Sequence, residues 1–145
     1  MQLPENYTIT TFEERFREDV VRLWRKCGLV RPWNDPNKDI DRKLTDRNGG
    51  FFLLFLGDLL IGSVMAGYDG HRGSIYYLGI DPAHQSSGLG RIMMAHCEAY
   101  LLERGCPKIN LFVRQGNEAV IRFYDLLGYE EERAVAFGKR LIPDD

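Results

Sequence analysis

The 145-residue chain has three cysteines, Cys27, Cys97 and Cys106, and no two of them stand in CxxC spacing. An odd number without paired spacing argues against a disulfide or zinc framework and for buried thiols in a reduced, cytoplasmic protein. No apolar run approaches the roughly 20 residues that span a bilayer. The start, MQLPENYTIT, lacks the charged stretch followed by an apolar stretch that would mark a secretory signal. Positive charge is not in surplus either: the formal net charge is -2, which argues against nucleic acid as a partner. The nucleotide loop GxxxxGK[ST] and the nucleophile elbow GxSxG are absent. The dinucleotide fingerprint GxGxxG fails because Met93 stands where the third glycine after Gly88 and Gly90 would be. His71, His84 and His96 form no metal-ligand spacing with Cys97 or Cys106, so no metal is expected.

What is present suffices for a core. Hydrophobic residues make up 44% of the chain and aromatic ones 12%, and the length fits one domain over 1–145. Residues 6–12 alternate weakly and predict a first strand. Phe16, Val20, Leu23, Trp24 and Cys27 recur at helical spacing, with Gly28 as the stop. RPWNDP (31–36) is a turn-rich linker, and Asp35-Pro36 suits the cap and first position of a second helix reaching about Arg47. Two apolar strands follow around a Gly57-Asp58 turn, then a turn over 69–73 and a strand over 74–81. Leu89, Ile92, Met93, His96, Tyr100 and Leu101 share one face of a third helix that Gly105 and Pro107 end. A strand is expected over 108–114. Asn117 caps a last helix carrying Val120, Ile121, Phe123, Tyr124 and Leu127, and one or two terminal strands complete YEEERAVAFGKRLI. The order βααβββαβαβ implies an α/β fold with a mixed sheet, antiparallel at first and parallel across the last βαβ unit, with helices on both faces.

HQSSGLGR (84–91) leaves a strand and opens a helix. The first N–H groups of a helix have no internal partner and attract an anion. Gly88 and Gly90 let backbone come close to a ligand, and Arg91 adds a charge. An ordinary βα turn is the other reading of the same residues. The stretch Gln85-Ser86-Ser87-Gly88-Leu89-Gly90 resembles the Q/R-x-x-G-x-G/A motif of the GCN5-related N-acetyltransferase (GNAT) family, with Ile80-Asp81-Pro82 at the strand ending before it. Asn117-Glu118-Ala119-Val120-Ile121, Phe123-Tyr124 and Gly128-Tyr129 resemble the family's second signature. RPWNDP and GYDGHRGSIYYLG are similar to the small bacterial YpeA-type branch.

The resemblance implies acetyl transfer from acetyl-CoA to an amine by direct attack in a ternary complex. The acceptor would be a small molecule or a peptide or protein amine, and a homodimer is compatible with the family. It implies that the backbone from Gln85 to Arg91 binds the pyrophosphate. The pantetheine arm would lie along Leu78, Gly79 and Ile80 where the fourth and fifth strands splay. Tyr124 would protonate the leaving thiolate, and Asn117 is a helix cap that also contacts the cofactor or a plain cap. Arg31, Trp33, Asn34, Asp35 and Tyr77 are candidates for the acceptor side. The carboxylates that some relatives carry in the fifth strand or at the start of the fourth are replaced by Phe112 and Ser74. Asp69, His71, Tyr76 and Tyr77 are left as routes for the amine proton. That gap makes a catalytically weak acyl-CoA-binding sensor or regulatory module the alternative reading.

Overall fold

The computed structural model describes residues 3–145. Strand β1 spans Tyr7–Thr11. Helices α1 and α2 span Arg17–Lys26 and Pro36–Lys43. Strands β2, β3 and β4 span Gly50–Leu56, Leu59–Tyr68 and Gly73–Ile80. Helix α3 (Leu89–Glu103), strand β5 (Ile109–Asn110) and helix α4 (Glu118–Leu126) follow.

The helix ends obey local chemistry. Acidic Glu18 and Asp19 open α1 and basic Arg25 and Lys26 close it, which complements the helix dipole. The Asp35 carboxylate accepts from the N–H groups of Asn37 (2.9 Å) and Lys38 (3.4 Å), and Pro36 fills the first position of α2. α2 stops at Lys43, short of the expected Arg47.

The five strands lie in the order β1-β2-β3-β4-β5, antiparallel except for the parallel pair β4–β5. Strand β2, GFFLLFL, is apolar throughout because both faces of the sheet are covered. Phe51, Leu53 and Phe55 pack with Val20, Trp24 and Ile40 of α1 and α2. Phe52 and Leu54 pack on the opposite face with Met93, Met94, Cys97 and Leu101 of α3 and Tyr124 of α4. A one-residue slip of β2 would exchange these two sets, so the register is firmly specified.

Two expected elements differ. β5 is expected over 108–114, but only Ile109 and Asn110 pair, with Gly73 and Ser74. The terminal strands over 129–142 are not formed: among the described residues no strand lies beyond α4, and no backbone–backbone hydrogen bond involves residues 130–145. Apolar alternation marked both stretches as strand-like, but a strand forms only where a neighbour supplies ladder partners.

Among the described residues no group of three His, Cys, Asp or Glu side chains could hold a metal ion, and no helix is long and apolar enough to cross a membrane. All three cysteines are free thiols.

Candidate active site

The loop between β4 and α3 is built by its own side chains. Asp81 accepts from the Ala83 N–H at 3.0 Å and caps a short 3-10 turn over Pro82–His84. The Gln85 side-chain amide donates to the Ile80 carbonyl at 2.9 Å, and the Ser87 hydroxyl donates to the His84 carbonyl at 2.9 Å. These bonds fold the loop back on the strand and leave its backbone donors free. Ser86 (φ 69°) and Gly88 (φ 79°) are both left-handed, which turns successive N–H groups to one side. The first backbone N–H to find a partner is that of Ile92, which donates to the Gly88 carbonyl. Among the described residues the seven amides from Gln85 to Arg91 make no hydrogen bond to the chain.

The two glycines serve different ends. A Cβ at Gly88 would meet nothing within 4 Å, so glycine is needed there for its backbone angle. A Cβ at Gly90 would stand 3.2 Å from two ring atoms of Phe123, so glycine lets α4 seat against the start of α3. Gly79 likewise faces protein: its Cβ would lie 2.9 Å from Leu29 and 3.1 Å from the Cys27 sulfur.

Among the described residues β4 has no ladder partner on its β5 side beyond Ser74, so Leu78, Gly79 and Ile80 border an opening between β4 and the stretch after β5. Within it β4 carries a bulge, because the β3 pairing steps from Ser63↔Gly79 to Met65↔Tyr76. Tyr77 sits in the bulge at φ 54°, a conformation costly for an aromatic residue, by about 1–3 kcal/mol. Three contacts hold it there. The Tyr77 ring stacks on Trp24 with centroids 3.7 Å apart at 12°. The buried Ser63 hydroxyl accepts from the Trp24 indole N–H (2.9 Å) and donates to the Tyr77 carbonyl (2.8 Å). The Tyr77 hydroxyl donates to Asp39 Oδ2 of α2 at 2.6 Å. Burial, with the Asp39 carboxylate second, raises the Tyr77 phenol far above its usual value, so it stays a neutral donor.

Tyr124 lies on α4 with its ring buried edge-on between Phe123 and Tyr129. Burial raises its phenol to about 12. No fully buried side-chain polar atom lacks a partner among the described residues. The Tyr124 hydroxyl makes no hydrogen bond to the chain, so it still reaches solvent. Asn117 is a working N-cap, accepting from the Val120 N–H at 3.4 Å.

The linker residues are mostly engaged within the chain. Arg31 donates to the Gly28 carbonyl at 2.9 Å. Asn34 accepts from Arg140 at 2.5 Å, and the Asp35 N–H donates to Asp144 at 2.8 Å. Trp33 remains half exposed, with the Arg114 guanidinium 5.2 Å from its ring centroid. The linker thus reaches Arg114, in the stretch that follows β5. Asp69 and His71 lie in the turn before β4, whose first residue, Gly73, is itself six strand steps or roughly 20 Å from Gly79. Tyr76 is on β4 and half exposed; Ser74 pairs with Asn110, and Phe112 is 70% exposed.

Sequence reasoning missed Asp39, Ser63 and Asp144. The i, i+4 spacing of Asp35 and Asp39 on α2 was visible, but their partners come from β4 and the far end of the chain. Arg42 holds the Asp144 carboxyl down at about 2, helped by the Asp35 N–H.

Comparison with known proteins accords with this layout. The sequence profile described as Acetyltransferase (GNAT) family matches residues 13–129. An acetyltransferase of Yersinia pestis (strain Pestoides F) is 46% identical over 136 residues, covering 94% of this chain and 96% of that protein. One of Pectobacterium atrosepticum is equally similar over the same shares. The ribosomal-protein-S18-alanine N-acetyltransferase of Escherichia coli has the same fold, with a TM-score of 0.76 at 23% identity over 87% of this chain and 79% of that one. AAC(6')-Iy, in complex with the bisubstrate analog CoA-S-monomethyl-acetylneamine, gives a TM-score of 0.77 at 17% identity over 92% and 98%. Sequence and fold together define an acyl-CoA-dependent acetyltransferase. The chain belongs to the acetyltransferase (GNAT) family.

Proposed function

We propose that this enzyme transfers the acetyl group of acetyl-CoA to a primary amine by direct attack within a ternary complex. The observation that carries the reading is the row of seven unpaired amides at the start of α3, next to the opening between β4 and β5. Those amides and the helix dipole suit the diphosphate, with the Arg91 charge beside them. The stretch Leu78, Gly79 and Ile80, which has no ladder partner on its β5 side among the described residues, suits the amide-bearing pantetheine arm, and an N–H there polarises the thioester carbonyl. The amine nitrogen bonds to the thioester carbon, the C–S bond breaks, and the sulfur takes the Tyr124 proton. Asn117 caps α4 with its carbonyl oxygen on the Val120 N–H, which leaves its side-chain NH2 for the cofactor.

The acceptor enters between Trp33 and Tyr77. The Tyr77 hydroxyl donates its hydrogen bond to Asp39, so its oxygen offers a lone pair to the incoming ammonium; the amine proton passes to that oxygen as the Tyr77 proton passes to Asp39, or it leaves to water. Arg31, Asn34 and Asp35 shape this side through the bonds they make. All three, with Trp33 and Tyr77, thus border the acceptor without all touching it. The 1–145 chain works as one such domain. Release of free thiol from acetyl-CoA against a panel of small amines and peptides tests the reading, and no release with any amine would overturn it.

Two outcomes follow for cofactor and pH. Free CoA at a hundred times its dissociation constant is expected to stabilise the fold by about 2.7 kcal/mol. Gly88→Val should remove most of that gain, because a β-branched residue cannot hold φ 79°. Thermal unfolding with and without CoA measures both, and an unchanged shift in the variant would separate the loop from the cofactor.

The raised Tyr124 phenol keeps its proton through the neutral range. Its folded value near 12 lies above the unfolded value of about 10, so its contribution to stability is complete below pH 10 and is lost as pH rises toward 12. The acid therefore sets no falling limb below that range. The rising limb belongs to the acceptor. A lysine amine, pKa about 10.4, carries a handicap of about 4.6 kcal/mol at pH 7, and an α-amine of pKa about 7.7–8.0 carries about 1–1.4 kcal/mol. Activity on a lysine-like amine should climb well past pH 8, whereas an α-amine should level off near its own pKa. Profiles of kcat/KM for both, with Asp39→Asn and Tyr77→Phe alongside, check this. A plateau near pH 7 on the lysine-like amine that survives both substitutions would reveal another base.

A further inference from the structure

From residue 130 to residue 145 every residue but one is exposed. The exception is Asp144, whose side chain is 1% exposed. A carboxylate leaves water only where charge and donors replace it. Arg42 of α2 grips both of its oxygens, Nη2 on Oδ1 at 2.7 Å and Nη1 on Oδ2 at 3.3 Å. The Asp35 N–H donates to Oδ2 at 2.8 Å, and the Arg140 guanidinium stands 3.7 Å from Oδ1. The neighbours Leu141 and Ile142 stay 83% and 65% exposed. The contact is therefore made by the carboxylate itself and is not a by-product of apolar packing.

That grip is one link of a longer row. The Nη1 of Arg42 that reaches Asp144 also donates to Asp39 Oδ1 at 3.3 Å. The other oxygen of Asp39, Oδ2, accepts from the Tyr77 hydroxyl at 2.6 Å. Asp144, Arg42, Asp39 and Tyr77 thus join the terminal segment to the bulge of β4 without a gap. We propose that Asp144 is a positioning residue for the acceptor side, holding Arg42 so that Arg42 fixes the Asp39 carboxylate against the Tyr77 hydroxyl. The inference rests on the proposed passage of the amine proton through Tyr77 to Asp39.

Arg42 and Asp39 by themselves would form an i, i+3 pair on a helix surface, with the arginine 45% exposed. Such a pair is worth little and leaves a long side chain free to wander. A two-pronged grip by a carboxylate out of water fixes the guanidinium plane, and with it the donor aimed at Asp39. With Oδ1 so occupied, Oδ2 is the oxygen turned to Tyr77. Asp144 also shares the charge of Arg42, so the cation does not fall on Asp39 alone and Asp39 keeps its capacity for a proton. Asp144, held at about 2, stays ionised throughout the neutral range.

Steady-state kinetics on a competent amine tests this. Asp144→Asn removes the charge and keeps the shape. It should lower kcat about tenfold or more, as misplacement of a working group does, with the KM for acetyl-CoA and the CoA-induced melting shift unchanged. Arg42→Lys keeps the charge but loses the planar fork that spans two carboxylates, so it should show the same loss. A double-mutant cycle then separates positioning from mere support. If Asp144 acts through Asp39, Asp144→Asn costs nothing further once Asp39→Asn is present. Losses that multiply would overturn the inference, and so would parental kcat in Asp144→Asn. Should Asp144→Asn fail to fold, Arg42→Lys carries the same cycle with Asp39→Asn. Parental kcat in Asp39→Asn would overturn the proton route through Tyr77, and this inference with it, while leaving acetyl transfer itself standing.

Discussion

Tyr124→Phe is expected to lower turnover about 10²- to 10⁴-fold while cofactor affinity stays the same, the usual loss when a positioned general acid is removed. The ring is buried between Phe123 and Tyr129, and the substitution keeps every one of those contacts. The oxygen removed has no bond to the chain, so no buried partner is orphaned and stability should hold. A structural tyrosine would behave in the opposite way, losing stability and keeping rate. The split between kcat and the CoA-induced melting shift therefore reads the role directly. Unchanged kcat on a competent acceptor would reduce Tyr124 to a core residue.

Trp24→Ala is expected to cost about 3–5 kcal/mol of folding stability, a large share of the roughly 5–15 available to a domain of this size. Trp24 is fully buried and stacks on both Tyr77 and Phe51. Its indole N–H is also the donor to the buried Ser63 hydroxyl. Truncation opens a cavity, leaves one side of Ser63 unmatched and removes the ring that holds the left-handed Tyr77. Trp24→Phe keeps much of the volume and loses the hydrogen bond, so about 1–3 kcal/mol is expected. Urea unfolding measures both. Equal losses in the two variants would mean that volume is irrelevant at this position, contrary to the packing described.

Why some of this was legible in the sequence and some was not follows from the range of the forces involved. The caps at Asp35 and Asn117 are settled by residues within four positions, so they could be read directly. The apolar run of β2 announced a strand buried on both faces. The Gln85-to-Gly90 motif located the amide cradle because the loop makes its bonds with its own neighbours. The Tyr77 bulge was not visible, since it depends on Trp24 and Ser63, 53 and 14 positions away. Asp39 was hidden for the same reason. The terminal segment was misread because alternation reports what a residue prefers beside it, and among the described residues its backbone makes no ladder bond, although Glu132 reaches Asn110 and Lys108 of the β5 region. That Gly79 and Gly90 also face protein was hidden too, because Cys27, Leu29 and Phe123, which stand where their Cβ atoms would be, are distant in sequence.

Gly90 seats against Phe123, so the start of α3 meets α4 next to Tyr124. On the proposed reading the donor arm runs from the unpaired amides of 85–91 to the Tyr124 hydroxyl, and its length has to match that interval. Thioesters with a shortened arm, or without the diphosphate, should then bind in many positions and react in few. Their kcat relative to acetyl-CoA reads that selectivity, and parity between the two would show that the interval is not fixed.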